Sequence, residues 1–310
     1  LILMKDLVGL RREAIKQNGR GVCSTYSTTR FYLGGLFYLL VGVLVGTGLW
    51  IGWSEPLAIA VPKEVHVHTN LWGYTALIFA GLIYELFPAL SKQKLHGHVR
   101  LDMLVFGSMA LGALGLVVGP WLDIGWPAVA GLSLHTAGTL LLLGQVVVLV
   151  VREKRLRHPG VAHLVTAYLW VLVSAIAAPF IVAKASELFP VAEVAGNGGP
   201  ILIYGWIMTF ALAIIPYFFR QLFDPYGKPE LGGSWRSLIF MHLGGLLFWV
   251  ALFWPPMQPV LRAGAFLFWF IGLMPTLLAL FFQVRAGAER IERVSQPVTT
   301  GESAKTTAGD

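Results

Sequence analysis

Eight apolar stretches, separated by short polar loops, dominate this sequence and leave few folds open to it. They fall at about 31–53, 67–90, 101–121, 127–151, 161–183, 200–222, 237–254 and 261–284. Each holds roughly the 20 mostly apolar residues that a helix needs to cross a bilayer. A single all-round apolar helix can be the buried core of a soluble protein. Eight in one chain predict an all-α, polytopic integral membrane protein. Composition agrees, with 56% hydrophobic and 13% charged residues, where a soluble domain carries about 25% charged. Such a chain is too apolar to be disordered. Its single cysteine, Cys23, excludes a disulfide scaffold and a cysteine-cluster metal site.

The net charge of +7 would suit a nucleic-acid binder until its location is considered. Basic residues collect in the N-terminal segment, in the loops after the second, fourth and sixth stretches, and in the C-terminal segment. Those regions hold twenty of the 23 Lys and Arg residues; the other side has Lys63, Lys184 and Arg262. The positive-inside rule then predicts cytoplasmic termini, in a bacterial or archaeal cytoplasmic membrane. The charge orients the chain in the lipid bilayer, and no nucleic-acid partner is expected. Trp50, Trp53, Trp72, Trp121, Trp126 and Trp254 fall near outer ends, as an aromatic belt does.

Residues 1–30 read as a basic cytoplasmic segment without the pattern of a cleavable signal. Leu1, Ile2, Leu3, Leu7, Val8, Leu10 and Ile15 beside the basic residues suit either an interfacial helix or a frayed tail. Residues 288–310 read as a disordered tail. Gly42 with Gly46, and Gly115 with Gly119, have the spacing that lets helices approach closely.

The second and sixth stretches look alike. Trp72-Gly73-Tyr74 and Tyr204-Gly205-Trp206 lie 132 residues apart, each followed by aromatics and a proline, Pro88 or Pro216. The separation equals four spans. It predicts two tandem four-helix modules, 31–155 and 156–287.

Ionisable residues within a bilayer are costly and mark candidate functional positions. His96, His98 and His158 read as solvated loop residues, His163 as interfacial, and His242 as a hydrogen-bonding residue or part of an inner-side site. His66 and His68 open the second span two residues apart, which on a helix turns them about 200° from each other. His135 lies at a similar depth in the fourth span. Two neutral imidazoles at one level can clamp a haem iron from both faces. Gly73, Gly131, Ala137 and Gly138 would make room for a flat ring, and Lys63, Lys184 and Arg262 could pair with its propionates.

The stretch Glu64-Val65-His66-Val67-His68-Thr69-Asn70-Leu71-Trp72-Gly73-Tyr74, followed by Gly81, Tyr84 and Pro88, resembles the second helix of the haem–copper oxidase catalytic subunits. Within that superfamily the resemblance is to the cbb-type oxidases, the nitric oxide reductases and the shorter NnrS-like membrane haem proteins. The resemblance implies that His68 is a ligand to haem b. It does not extend to copper: the sixth stretch has no histidine and the seventh only His242, whereas a copper centre needs several imidazoles. The superfamily's second haem ligand lies on a later helix absent here, so His135 as partner comes from depth alone. At the 132-residue spacing Leu267 and Pro200 replace His135 and His68, which predicts one haem.

The expected function is a b-type cytochrome subunit of a respiratory oxidoreductase complex. It would pass electrons between a quinol or membrane donor and a c-type cytochrome or extracytoplasmic redox subunit, beside other membrane subunits. The expected site is His68 and His135 as metal ligands, with His66, Lys63, Arg262, Trp72 and Gly73 around the cofactor. Two alternatives stand beside it. One is an NnrS-like, nitric oxide-responsive haem protein with a single histidine ligand. The other is a haem-free anchor that contacts quinone, with Glu85 as proton or quinone contact or else paired with Arg220 or Lys92. A transporter with helices broken at Pro179, Pro216 and Pro275 is a further class.

Overall fold

The computed structural model describes residues 24–53, 55–91, 99–153, 157–182, 187, 189–223 and 230–295. Among the described residues the fold is all-helical, built from eight rods. The first is Ser24–Ile51. The second is continuous through Pro62–His68, Thr69–Thr75 and Ala76–Ser91. The third and fourth are Val99–Leu122 and Gly125–Arg152. The fifth comprises Pro159–Thr166 and Tyr168–Val182, joined through Ala167. The sixth comprises Ile201–Met208 and Thr209–Phe223. The seventh is Trp235–Phe253 and the eighth Gln258–Ser295.

Seven of these rods are long and apolar enough to cross a membrane. The second is not among the seven; its start carries Lys63, Glu64, His66, His68, Thr69 and Asn70. The eighth continues to Ser295, so residues 288–295 are helical where a disordered tail was expected. Residues 1–23 and 296–310, with the expectations placed on them, lie outside the described residues, as do Lys92, His96, His98 and Lys184.

Local chemistry explains several ends. Proline opens the second and fifth rods, where its missing N–H is no loss. His158 Nδ1 accepts the N–H of Gly160, and Ser234 caps the seventh rod by accepting from Ser237 N at 3.0 Å. Pro179, Pro216 and Pro275 sit inside helices that run on past them. The departures from α geometry lie elsewhere. Thr69–Thr75 and Ile201–Met208 are both π-helical, and the two segments start 132 residues apart.

Rods three and four meet on glycine. A Cβ added to Gly131 would lie 2.5 Å from the Gly112 carbonyl oxygen and 2.7 Å from the Leu116 nitrogen. One on Gly115 would lie 2.8 Å from the Gly131 Cα. Gly115 and Gly119 thus serve close helix approach. Gly42 and Gly46 do not: their space is filled by the Asn70 and His66 side chains.

The two halves join on aromatic rings. Trp72 stacks on Trp206 at 6.3 Å between centroids, and Phe79 on Phe210 at 3.9 Å. Tyr168 and Phe79 close on Trp206 from other sides. Much of the remaining large apolar surface points outward, as expected of helices in lipid. Trp50 and Trp126 are the most open of the tryptophans, at 93% and 73%.

Candidate functional site

The histidines at the start of the second rod point to different neighbours. His66 donates Nδ1–H to the Gly42 carbonyl of the first rod at 2.8 Å, in the slot between Gly42 and Gly46. Asn70 donates to the His66 carbonyl at 2.8 Å. His68 donates Nδ1–H to the Leu116 carbonyl of the third rod at 2.7 Å. That bond fixes the tautomer and leaves the His68 Nε2 lone pair with no protein partner among the described residues. A backbone carbonyl on one imidazole nitrogen and an open lone pair on the other is the usual setting of a metal-ligating histidine. His68 also keeps partial exposure.

His135 lies one turn further along the third rod, against Gly112. The fold therefore brings His68 and His135 into one neighbourhood, but His135 has no nitrogen left to offer. It donates Nε2–H to the Trp72 carbonyl at 3.2 Å, and its Nδ1 accepts from Thr139 Oγ1 at 3.4 Å. Its ring packs edge-on against Trp72 at 5.2 Å, and the residue is 1% exposed. The carbonyl that His135 reaches lies within the π-helical segment Thr69–Thr75. Thr75 Oγ1 caps the Asn70 carbonyl five residues back at 2.8 Å, and His135 takes that of Trp72. Thr69 donates its hydroxyl to Val65.

The room expected at Gly73, Gly131 and Gly138 for a ring held between His68 and His135 is occupied. A Cβ on Gly73 would meet the Tyr38 ring at 2.3 Å, and one on Gly138 the Met109 side chain at 2.9 Å. Gly131 lies under the third rod's backbone. A haem clamped between His68 and His135 does not fit these residues; of the two imidazoles, only that of His68 keeps a nitrogen without a protein partner among the described residues. Among the described residues no three His, Cys, Asp or Glu side chains converge to hold a metal ion.

The other expected contacts sort similarly. Lys63 is exposed beside the start of the second rod. Trp72 is buried in the seam between the halves. Arg262 belongs to the second half, where it pairs with Glu193 at 3.5 Å and lies over the Phe248 ring. That pair is partly exposed, so Arg262→Ala is expected to cost no more than about 1 kcal/mol in thermal unfolding. Glu85 accepts from Tyr32 Oη at 2.5 Å, and Arg220 pairs instead with Glu230.

His163, expected at the interface, is fully buried and donates Nδ1–H to the Pro159 carbonyl. Gly233 closes over its ring with φ +86°, where a Cβ would come within 2.8 Å. His242 is held on both sides. Its Nδ1 accepts from Trp170 Nε1 at 3.1 Å, and its Nε2–H reaches Thr166 Oγ1 at 2.8 Å, which donates on to Ala162.

The contacts of the two halves correspond in detail. Tyr38 fills the space over Gly73 and donates to the Ala110 carbonyl at 2.7 Å. At the 132-residue spacing, Trp170 fills the space over Gly205 and donates to His242. Gly138 faces Met109 as Gly272 faces Met241. In the eighth rod the spacing is therefore 134. The counterpart of His135 is Trp269 and not Leu267: Trp269 packs on Gly244 and stacks on Tyr204 at 4.7 Å.

Sequence reasoning also passed over a polar cluster at the far end of the first half. Gln145 Nε2 donates to Tyr84 Oη at 2.9 Å, and the same hydroxyl is hydrogen-bonded to the buried Asp102. Its sequence signal was Gln145 and Asp102 standing within apolar stretches. No family model, curated protein or solved structure matches this chain.

Proposed function

We propose that the chain crosses a membrane eight times as two tandem four-helix modules, with its basic loops and termini cytoplasmic. We further propose that the first module holds one haem b near the outer face through His68 alone. The observation that carries the reading is the His68 imidazole, oriented by the Leu116 carbonyl with its Nε2 open, beside a His135 whose nitrogens are both engaged. The resemblance of Glu64–Tyr74 to the oxidase second helix names the cofactor. In this reading His135 positions the Trp72 backbone and does not ligate.

A haem held there would supply one-electron and diatomic-ligand chemistry. With His68 as its one protein ligand, such a group would be able to take up a small diatomic molecule. That favours a gas-binding membrane haem protein, responsive to nitric oxide, over a bis-histidine electron carrier. Electrons would come from a quinol or another membrane donor. The chain's own residues set the site: Leu116 fixes the His68 tautomer, and Gly42 fixes His66.

An optical spectrum of the purified protein tests this. The wild type is expected to show a Soret band that His68→Ala abolishes and His135→Ala retains. The reduced protein is expected to bind carbon monoxide rapidly. Loss of the band in His135→Ala, with inertness to carbon monoxide, would restore the bis-histidine cytochrome. A wild type without any band, after growth with added haem precursor, would leave the haem-free anchor.

A further inference from the structure

Just before the seventh rod, residues 230–234 form no helix and tuck into the bundle. Leu231 is 6% exposed, and the Gly232 N–H donates to the Ala213 carbonyl of the sixth rod at 2.8 Å. Three glycines admit this strap. A Cβ on Gly160 would lie 2.5 Å from the Gly232 carbonyl oxygen. One on Gly232 would lie 2.7 Å from the Leu212 carbonyl oxygen, which Pro216 leaves without its regular helix donor. Gly233, in the left-handed region at φ +86°, lies against the His163 ring. Beneath it His163 is 0% exposed. Its Nδ1–H goes to the Pro159 carbonyl, and its buried Nε2 has no partner among the described residues. A buried polar atom left unmet costs free energy. Packing does not ask for an imidazole here, because at the 132-residue spacing the first half has Phe31, also 0% exposed. The first half has no strap either: Arg100 and Leu101 stand where Gly232 and Gly233 do, and the third rod is already helical there. Imidazole and strap occur together, in one half only.

We propose that residues 230–234 are an acid-released strap, which leaves the bundle when His163 takes up a proton and so opens that end of the second half to water. The neutral ring has one N–H, and Pro159 accepts it. A second N–H, on Nε2, meets no acceptor while the strap is closed and meets water once it has left. Hydronium gives its proton to Nε2 and departs as water; the bond from Gly232 to Ala213 breaks as the strap moves. The charged or titratable groups at this end are Arg157 and His158 before His163, Tyr217 and Arg220 on the sixth rod, Arg236 and His242 on the seventh, and Arg152 and Glu153 ending the fourth. His158 and His242 act on His163 electrostatically, and Arg220 is held by Glu230 at the start of the strap. His68 lies in the other half, so a cofactor there neither requires the strap nor excludes it.

Backbone hydrogen exchange tests this, read by mass spectrometry on the full chain in phosphatidylcholine vesicles and corrected for the intrinsic pH dependence of exchange. At neutral pH the wild-type Gly232 amide is expected to be protected. At mildly acid pH its protection is expected to fall about tenfold for each further pH unit, as release coupled to one proton requires. His163→Phe, which places the first half's residue under the strap, is expected to hold the protection at both pH values. Wild-type protection that is absent at neutral pH, or unchanged by acid, overturns the strap. So does an equal acid loss in His163→Phe. Should that variant fail to fold, His163→Gln decides on the same criterion, since it too cannot take the proton.

Discussion

Replacing Gly131 by valine is expected to prevent the first half from assembling. The Cβ would meet the Gly112 carbonyl oxygen and the Leu116 nitrogen, both backbone atoms of the third rod. Neither can turn aside as a flexible side chain does, so rods three and four must separate along their whole glycine seam. Overpacking costs about 1–3 kcal/mol where neighbours can shift, and here a loss above that range is expected. It would appear as aggregation on size-exclusion chromatography, or as a large drop in the unfolding midpoint. Gly144→Val on the same rod is the control, because nothing lies within 4 Å of the added Cβ. Equal behaviour of the two variants would mean that the seam is not a packed contact.

The second large effect concerns Trp170. Its ring lies between Gly205 and Gly245, whose added Cβ atoms would come within 2.7 and 2.3 Å of it. It also donates to His242. Trp170→Ala removes a buried ring that two other rods have been shaped to receive. The expected destabilisation is about 3–5 kcal/mol. Chemical denaturation in detergent should show it, and Trp170→Phe should recover part of the packing while still losing the bond to His242. A change under 1 kcal/mol in Trp170→Ala would mean that the glycines have closed over the gap.

Hydropathy made the rods legible, and their ends fall within a few residues of those expected for most of them. It carried no information about which small residues receive which neighbour. Gly42 and Gly46 have the same spacing as Gly115 and Gly119, yet one pair holds an imidazole and an amide and the other a helix backbone. The difference is set by the partner rod. The π-turns escaped for a related reason: a period-3.6 reading presumes regular winding, so the Trp72 carbonyl did not suggest itself as a partner for His135. Depth along the spans suggested His68 and His135 as a pair, and both lie against the third rod, at Leu116 and Gly112. Depth cannot say which nitrogen of a histidine is already in use, and that is what separates the proposed one-ligand reading from the two-ligand one.

The spacing of 134 residues in the eighth rod, against 132 elsewhere, has a practical consequence for anyone redesigning this molecule. Two residues on a helix amount to about 200° of rotation. Leu267, aligned with His135 by simple counting, is 58% exposed, while Trp269 is 1% exposed. A histidine transplanted at 267 would sit among acyl chains, and one at 269 would meet Tyr204. The length of a single hairpin connection thus acts as a selector of which residues the rod shows to lipid and which to protein.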